Sequence, residues 1–264
     1  MNNQKPEIVY KYCSLESAER IIKDKRLKLT ALSDVNDPFE ALPQKSQYFK
    51  NRKSADELLN RRLVQRQAFN LIYEGKTMEA AQLSYCINNT PWVCETIEGT
   101  VKNFNSMAIA QDVRKNVFCT CFSEICDNIL MWSHYADQHR GCCIAFKTNA
   151  LKIFPVEYVD KRPLLCSEDI EIQMTSVLKK HTNWSYEQEW RYLKVAPEIS
   201  KNNLPIFLPI GDSIVAVYFG ARSKDFNKLG QFDKVRSSIA KPIKKFIARA
   251  DDVEYKLVFD EYKL

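Results

Sequence analysis

Short apolar-rich runs, several of them alternating with polar residues and spaced a hairpin's length apart, govern what this chain can become. From residue 116 onward NVFCTCF, GCCIAFK, PVEYV, EQEWRYLKV, LPIFLPI and IVAVYFG follow one another, and KKFIARA and YKLVFDEY close the sequence. IVYKY at 8–12 and LKLTAL at 27–32 add two more near the start. Alternation of this kind sends successive side chains to opposite faces of a strand. Helical spacing appears between these runs. At 15–25 it puts Leu15, Ala18, Ile21 and Ile22 on one face. A second helix is expected from Ser123 or Asp127 through ILMWSHYADQH to a stop at Gly141, and others at 168–181 and 223–240. Such an order predicts an α+β fold with a mostly antiparallel core sheet. Residues 53–115 instead carry helix-start signals at Ser54, Thr77 and Thr90. They read as an insertion of about three helices within a single domain spanning 1–264.

Composition narrows the function classes. The chain of 264 residues has six glycines, with no GxGxxG and no GxxxxGK[ST] run, which argues against a dinucleotide fingerprint and a P-loop. No apolar stretch approaches the ~20 residues that cross a bilayer. The first residues, MNNQKPEIVYKY, contain no apolar core of a signal peptide. A cytoplasmic protein that does not enter the membrane is therefore expected. The net charge of +6 is compatible with an anionic ligand or nucleic acid. The cysteines number nine, an odd count, and include Cys119, Cys121, Cys126, Cys142 and Cys143. They form no CxxC pair, and neither HxxxH nor HExxH is present, so reduced core thiols are expected and no metal site.

Four constellations carry candidate chemistry. In WSYEQEWRY, a strand would point Glu187, Glu189 and Arg191 to one face and Trp190 and Tyr192 to the other. Two carboxylates so placed suit stabilisation of a cationic transition state and activation of an acceptor, and a neutralised edge strand is the competing reading. In NDPFE, helix capping accounts for Asp37, Pro38 and Glu40 but leaves Asn36 unexplained. Trp132, Tyr135 and His139 fall on one helix face, the pattern of a core stripe more often than of a ligand site, while His134 projects elsewhere. In YKYCS, Tyr10 and Tyr12 share one strand face, Lys11 the other, and Ser14 follows.

Taken in order, YKYCS, NDPFE, CFSE…MWSHYADQHRG and W-x-YEQEWR resemble the bacterial and phage family called domain of unknown function 2971, over about residues 10–192. A second resemblance is to ADP-ribosyltransferases. Many of these open with a strand ending in an aromatic-polar-aromatic triplet and place E-x-E on the catalytic strand. That resemblance implies an ADP-ribosyltransferase-like fold and NAD as a substrate. Glu189 would be catalytic, and Glu187 would orient or deprotonate the acceptor. It implies that Ser123 ends the strand beside the nicotinamide, that Tyr135 stacks on that ring, and that Lys11 or Arg191 meets the pyrophosphate. Tyr12, Ser14, Asn36 and Trp132 complete the implied NAD-binding set. Lys11 stands where those enzymes carry His or Arg, and Cys121-Phe122-Ser123 where they carry Ser-Thr-Ser.

Cleavage of the nicotinamide–ribose bond builds positive charge on the ribose, and a carboxylate fixed in a dry site contributes roughly 3–4 kcal/mol to its stabilisation. The implied partners are a nucleic acid acceptor, slightly favoured over protein by the +6 charge, and an antitoxin if the chain acts as a toxin or in phage defence. One alternative is a non-catalytic nucleotide- or nucleic-acid-binding sensor in a defence system. Another is a Cys- or His-dependent hydrolase or nuclease. If the motifs form one site, Asn36, Glu40, Trp132, Tyr135, Glu189 and Arg191 should surround one pocket.

Overall fold

The computed structural model describes residues 5–42, 111, 113–162, 176–196, 204–224, 231–240 and 242–262. The expected helical insertion lies almost entirely outside these residues, as does most of the helix expected at 168–181. Within them, the fold is α+β, with a mostly antiparallel open sheet and few helices. No helix among the described residues is long and apolar enough to cross a membrane.

The first strand, β1 (Ile8–Cys13), runs into helix α1 (Leu15–Asp24). Ser14 caps α1 by accepting a hydrogen bond from Ser17 N, which satisfies one of the free amides of the first turn. Lys25, in the left-handed conformation at φ 49°, ends the helix. Leu15, Ala18, Ile21 and Ile22 bury the predicted face of α1. Strand β2 (Arg26–Ala31) then alternates, with Leu27 and Leu29 inward.

Next among the described strands and helices come β3 (Val117–Ser123), α2 (Ile129–Tyr135) and β4 (Cys142–Lys147). β4 is apolar on both faces, as a central strand must be. It pairs antiparallel with β1 over the whole length from Ile8–Lys147 to Cys13–Cys142, and with β10 (Ile214–Phe219) on its other side. Helix α3 (Gln231–Ser238) links β10 to β11 (Lys244–Ala250), which pairs with it in parallel, and β12 (Leu257–Glu261) closes that edge. On the other side lie β8 (Glu189–Val195), which pairs antiparallel with β3 along its length, and β9 (Ile206–Pro209), which pairs with β2. Strand β5 (Ile153–Pro155) borders β8. Strands β6 (Glu157–Val159) and β7 (Lys179–His181) form a separate two-stranded parallel sheet.

The sheet divides at one point. β1 and β3 pair only where Tyr10 stands opposite Ser123. From there β1 stays with β4 and β3 stays with β8. Lys11 Nζ donates to the Cys121 carbonyl at 3.1 Å across the gap.

Three expectations are corrected. The helix through 129–140 ends at Tyr135, because Asp137, Gln138 and His139 adopt φ of 47°, 55° and 67°. Its cap is Asn128, whose side chain accepts from Leu130 N and Met131 N. His139 therefore leaves the helix face. Residues 179–181 are strand rather than helix. Finally, residues 38–41 form a turn in which Asp37 accepts from Phe39 N, and Glu40 does not take part in a capping box.

Candidate functional site

A cleft of about 290 Å³ opens along the division between β1 and β3. Tyr10, Lys11 and Tyr12 of β1 line one side, and residues 119–123 of β3 line the other. Asn36, Glu40, Tyr135, Lys180, Glu187, Glu189 and Arg191 also line it, as do Lys28, Thr30, Val35 and Met131.

At its base lies a buried charge cluster. Arg191 makes a two-pronged contact with Glu40, Nη1 to Oε1 at 2.6 Å and Nη2 to Oε2 at 3.0 Å. A second pair of bonds reaches Glu189, from Nε at 2.7 Å and Nη2 at 3.0 Å. Arg191 Nη1 also donates to the Val177 carbonyl at 2.7 Å. Lys180 Nζ bridges Glu187 and Glu189. All five side chains are at most 5% exposed. From Glu187 the network continues outward: Tyr135 Oη donates to Glu187 Oε1 at 2.6 Å, and Asn36 Nδ2 donates to Tyr135 Oη at 2.9 Å. Asn36 is exposed, so a continuous hydrogen-bonded path runs from solvent to the buried carboxylates.

Three carboxylates face two cations here, so the ionised cluster carries one negative charge in excess. Its members respond differently. Burial opposes ionisation of Glu189, but the charges of Arg191 and Lys180 and the Arg191 hydrogen bonds outweigh it and hold the carboxyl well below its usual range. Burial raises Glu187, and the neighbouring Glu189 charge adds to the rise against the pull of Lys180. Burial and the Glu187 carboxylate together push Tyr135 up. Lys180 is raised despite its burial, because both glutamates favour its charge. Among the buried side-chain polar atoms of the lining, Thr120 Oγ1, on a residue only 3% exposed, has no hydrogen-bond partner among the described residues. A bound molecule that reaches the floor of the cleft would satisfy it.

Several of the residues singled out in the sequence meet in this cleft: Lys11, Tyr12, Asn36, Glu40, Ser123, Tyr135, Glu187, Glu189 and Arg191. The route by which two of them arrive differs from expectation. Glu187 is not on the strand with Glu189. It ends a 3-10 helix, Thr182–Glu187, and Gln188 at φ 43° separates it from β8. The shared partner Lys180 brings the two carboxylates together. Glu40 is an ion-pair partner of Arg191 and not a helix cap.

Other assigned residues have structural duties. Trp132 is absent from the cleft lining. It is fully buried, packs edge-on against Tyr12, stacks over His139 and donates from Nε1 to the Cys126 carbonyl. Ser14 is likewise absent from the lining and caps α1. Tyr12 Oη donates to the Ile125 carbonyl, and Ser123 Oγ donates to the Glu187 carbonyl at 2.6 Å while accepting from Ile125 N. Both hydroxyls thus tie the loop after β3 to the site. Lys180 and Tyr158, whose hydroxyl accepts from Glu189 N at 2.8 Å, were not singled out in the sequence. Lys180 falls where a helix was expected, and Tyr158 sits in a short strand with no motif around it.

Fold and cleft together define an α+β protein whose open, mostly antiparallel sheet holds a buried charge cluster where two strands part. Residues 131–163, from α2 through β4 to β6, match the family model described as Protein of unknown function (DUF2971), and this supports the chain's place in the family that its motifs resemble. No curated protein and no solved structure matches the chain. Among the described residues no group of His, Cys, Asp and Glu is arranged to hold a metal ion.

Proposed function

We propose that the cleft is the active site of an ADP-ribosyltransferase-like enzyme that transfers ADP-ribose from NAD to a macromolecule. One observation carries this reading: the buried cluster of Glu40, Glu187 and Glu189 against Lys180 and Arg191 carries one negative charge in excess within itself, at a cleft that Lys11 and Lys28 also line. A fixed negative charge in a desolvated site favours a transition state in which positive charge develops. In the proposed reaction the bond between nicotinamide and ribose breaks, and its electron pair leaves with neutral nicotinamide. The ribosyl carbon, now cationic in character, forms a new bond to an acceptor nucleophile. The acceptor's proton passes to Glu187, whose raised affinity for a proton suits a general base. Tyr135 and Asn36 link that carboxylate to solvent. Glu189 stays anionic and holds Lys180 and Arg191 in place. The buried Thr120 hydroxyl, unpartnered among the described residues, bonds the substrate at the floor of the cleft.

The test is incubation with labelled NAD and total nucleic acid or lysate, followed by detection of label transfer. Glu187→Gln preserves shape and an acceptor for Tyr135 but removes the base. It should lower transfer by about 10²–10⁴-fold, the range typical of a general base. Thr120→Val should weaken NAD binding while leaving the fold intact. A wild-type protein that neither binds nor consumes NAD with any acceptor would refute the enzyme reading.

A further inference from the structure

A second cavity of about 450 Å³ lies on the far side of Lys180, which lines both it and the cleft. Its wall includes Phe39, Lys161, Arg162, Lys179 and Trp184. Phe39 is 57% exposed, unusual for a large apolar side chain, and the Arg162 guanidinium lies over its ring at 4.6 Å. The Lys180 ammonium stands 4.8 Å from the centre of the Trp184 ring. From Trp184 a row of rings leads back to the cleft. Trp184 and Tyr186 are 6.1 Å apart and tilted by 37°, while Tyr186 meets His134, and His134 meets Tyr135, edge to face at 6.1 Å, so each ring turns a different face outward. Tyr135 belongs to the cleft itself. His134 is exposed, and Trp184 and Tyr186 are half-buried.

Among the described residues that line this cavity, the acidic ones are Asp37 and Asp160. Asp37 is buried and accepts from Phe39 N, Asp160 accepts from Thr182 Oγ1 at 2.7 Å, and Glu157 pairs with Lys179. The exposed Lys161 and Arg162 stand at the rim. Rings in sequence beside cations form the surface that unstacked bases and their phosphates recognise: every base presents a π-face, and each phosphate attracts a cation. A duplex keeps its bases stacked on one another and offers none to such a row.

We propose that this cavity and ring row bind a single-stranded nucleic acid, with a base held in the cavity against Trp184 and the following bases led over Tyr186 and His134 toward the cleft. The proposal rests on the transfer reading above, and it names the acceptor class of that reaction. Binding itself requires no NAD, so the two stand or fall separately.

The test is fluorescence anisotropy with a labelled mixed-sequence single strand and its duplex, across a salt series and without NAD. NAD consumption is measured in parallel. The single strand should bind more tightly than the duplex, with affinity falling as salt rises. Trp184→Ala should weaken single-strand binding by about 5–150-fold, the equivalent of 1–3 kcal/mol for one stacked base. Trp184→Phe, which keeps a ring and serves as the control for folding, should bind within a few-fold of wild type. Lys161→Glu together with Arg162→Glu should lower affinity and flatten the salt dependence. Equal affinity for duplex and single strand would overturn the proposal, as would a Trp184→Ala protein that binds like wild type. NAD consumption without single-strand binding would also overturn it while leaving the transfer reading intact. Single-strand binding without NAD consumption would support the platform and count against the transfer reading.

Discussion

Glu187 and Glu189 share a lysine, yet they act on stability in opposite directions. Glu189 has a folded-state pKa below its ordinary 4.5. Its contribution is present in full above that value and is lost as pH falls through the folded one. Glu187 has a folded-state pKa above 4.5, so it penalises folding at neutral pH, and the penalty is relieved as pH falls from the folded value toward 4.5. Glu187→Gln should therefore hold or raise the urea midpoint at neutral pH. Glu189→Gln weakens charge-assisted hydrogen bonds to both Arg191 and Lys180, which keep Glu40 and Glu187 as counter-charges, and such bonds contribute about 1.5–3 kcal/mol each, so the midpoint should fall. The measurement is a pair of urea titrations at pH 7 and below 4.5. An equal loss from both substitutions would contradict the opposed roles. Activity losses in a Glu189 variant must accordingly be read beside its stability, whereas Glu187→Gln isolates the chemistry.

At the scale of elements, the connection between α2 and β4 is held by close approach. A Cβ on Gly141 would stand 2.2 Å from the Cys13 carbonyl oxygen and 2.9 Å from that of Ala136. Both are backbone atoms of packed elements, so Gly141→Ala should destabilise by about 3 kcal/mol, the upper part of the range for overpacking. A thermal melt within a degree or two of wild type would show that the turn yields. This turn also marks a boundary of what sequence alone makes legible. Short apolar-rich runs bounded by turn signals identified β1, β3, β4, β8, β10, β11 and β12, alternating where one face meets solvent and continuous where, as in β4, both faces are covered. Spacing likewise identified the buried face of α1. The sequence did not reveal that Asp137, Gln138 and His139 would turn left-handed, since no glycine occupies those positions. Nor did it reveal that Gln188 would break the E-x-E run, and the two glutamates meet through Lys180 rather than through pleating. Asn36 was legible as the residue that capping left unexplained, and Tyr135 only through the second resemblance, since its helix face reads as core. Lys180 was not, because a lone lysine on a three-residue strand gives no signal until the fold supplies its partners.

For the whole molecule, the thiols report on packing. Cys13, Cys142 and Cys143 are buried in the central sheet, and burial pushes Cys13 up to about 12 and the other two well above their ordinary value. A thiol that cannot ionise or reach solvent does not react. Iodoacetamide at neutral pH should leave all three unmodified in the native protein and modify all three in guanidinium, read by peptide mass spectrometry. Label on Cys142 or Cys143 in the native state would mean that the β1–β4–β10 centre opens readily. The cleft makes a different demand on the whole chain. Lys11 reaches Cys121, Asn36 reaches Tyr135, and Glu40 reaches Arg191, with 110, 99 and 151 positions of sequence between the partners. Contacts this distant form late, after a large loss of chain entropy. During synthesis Glu40 must wait until Arg191 has left the ribosome, so a nascent or truncated chain that ends before that point lacks the assembled cluster. Any activity housed in the cleft would be withheld until translation had passed it.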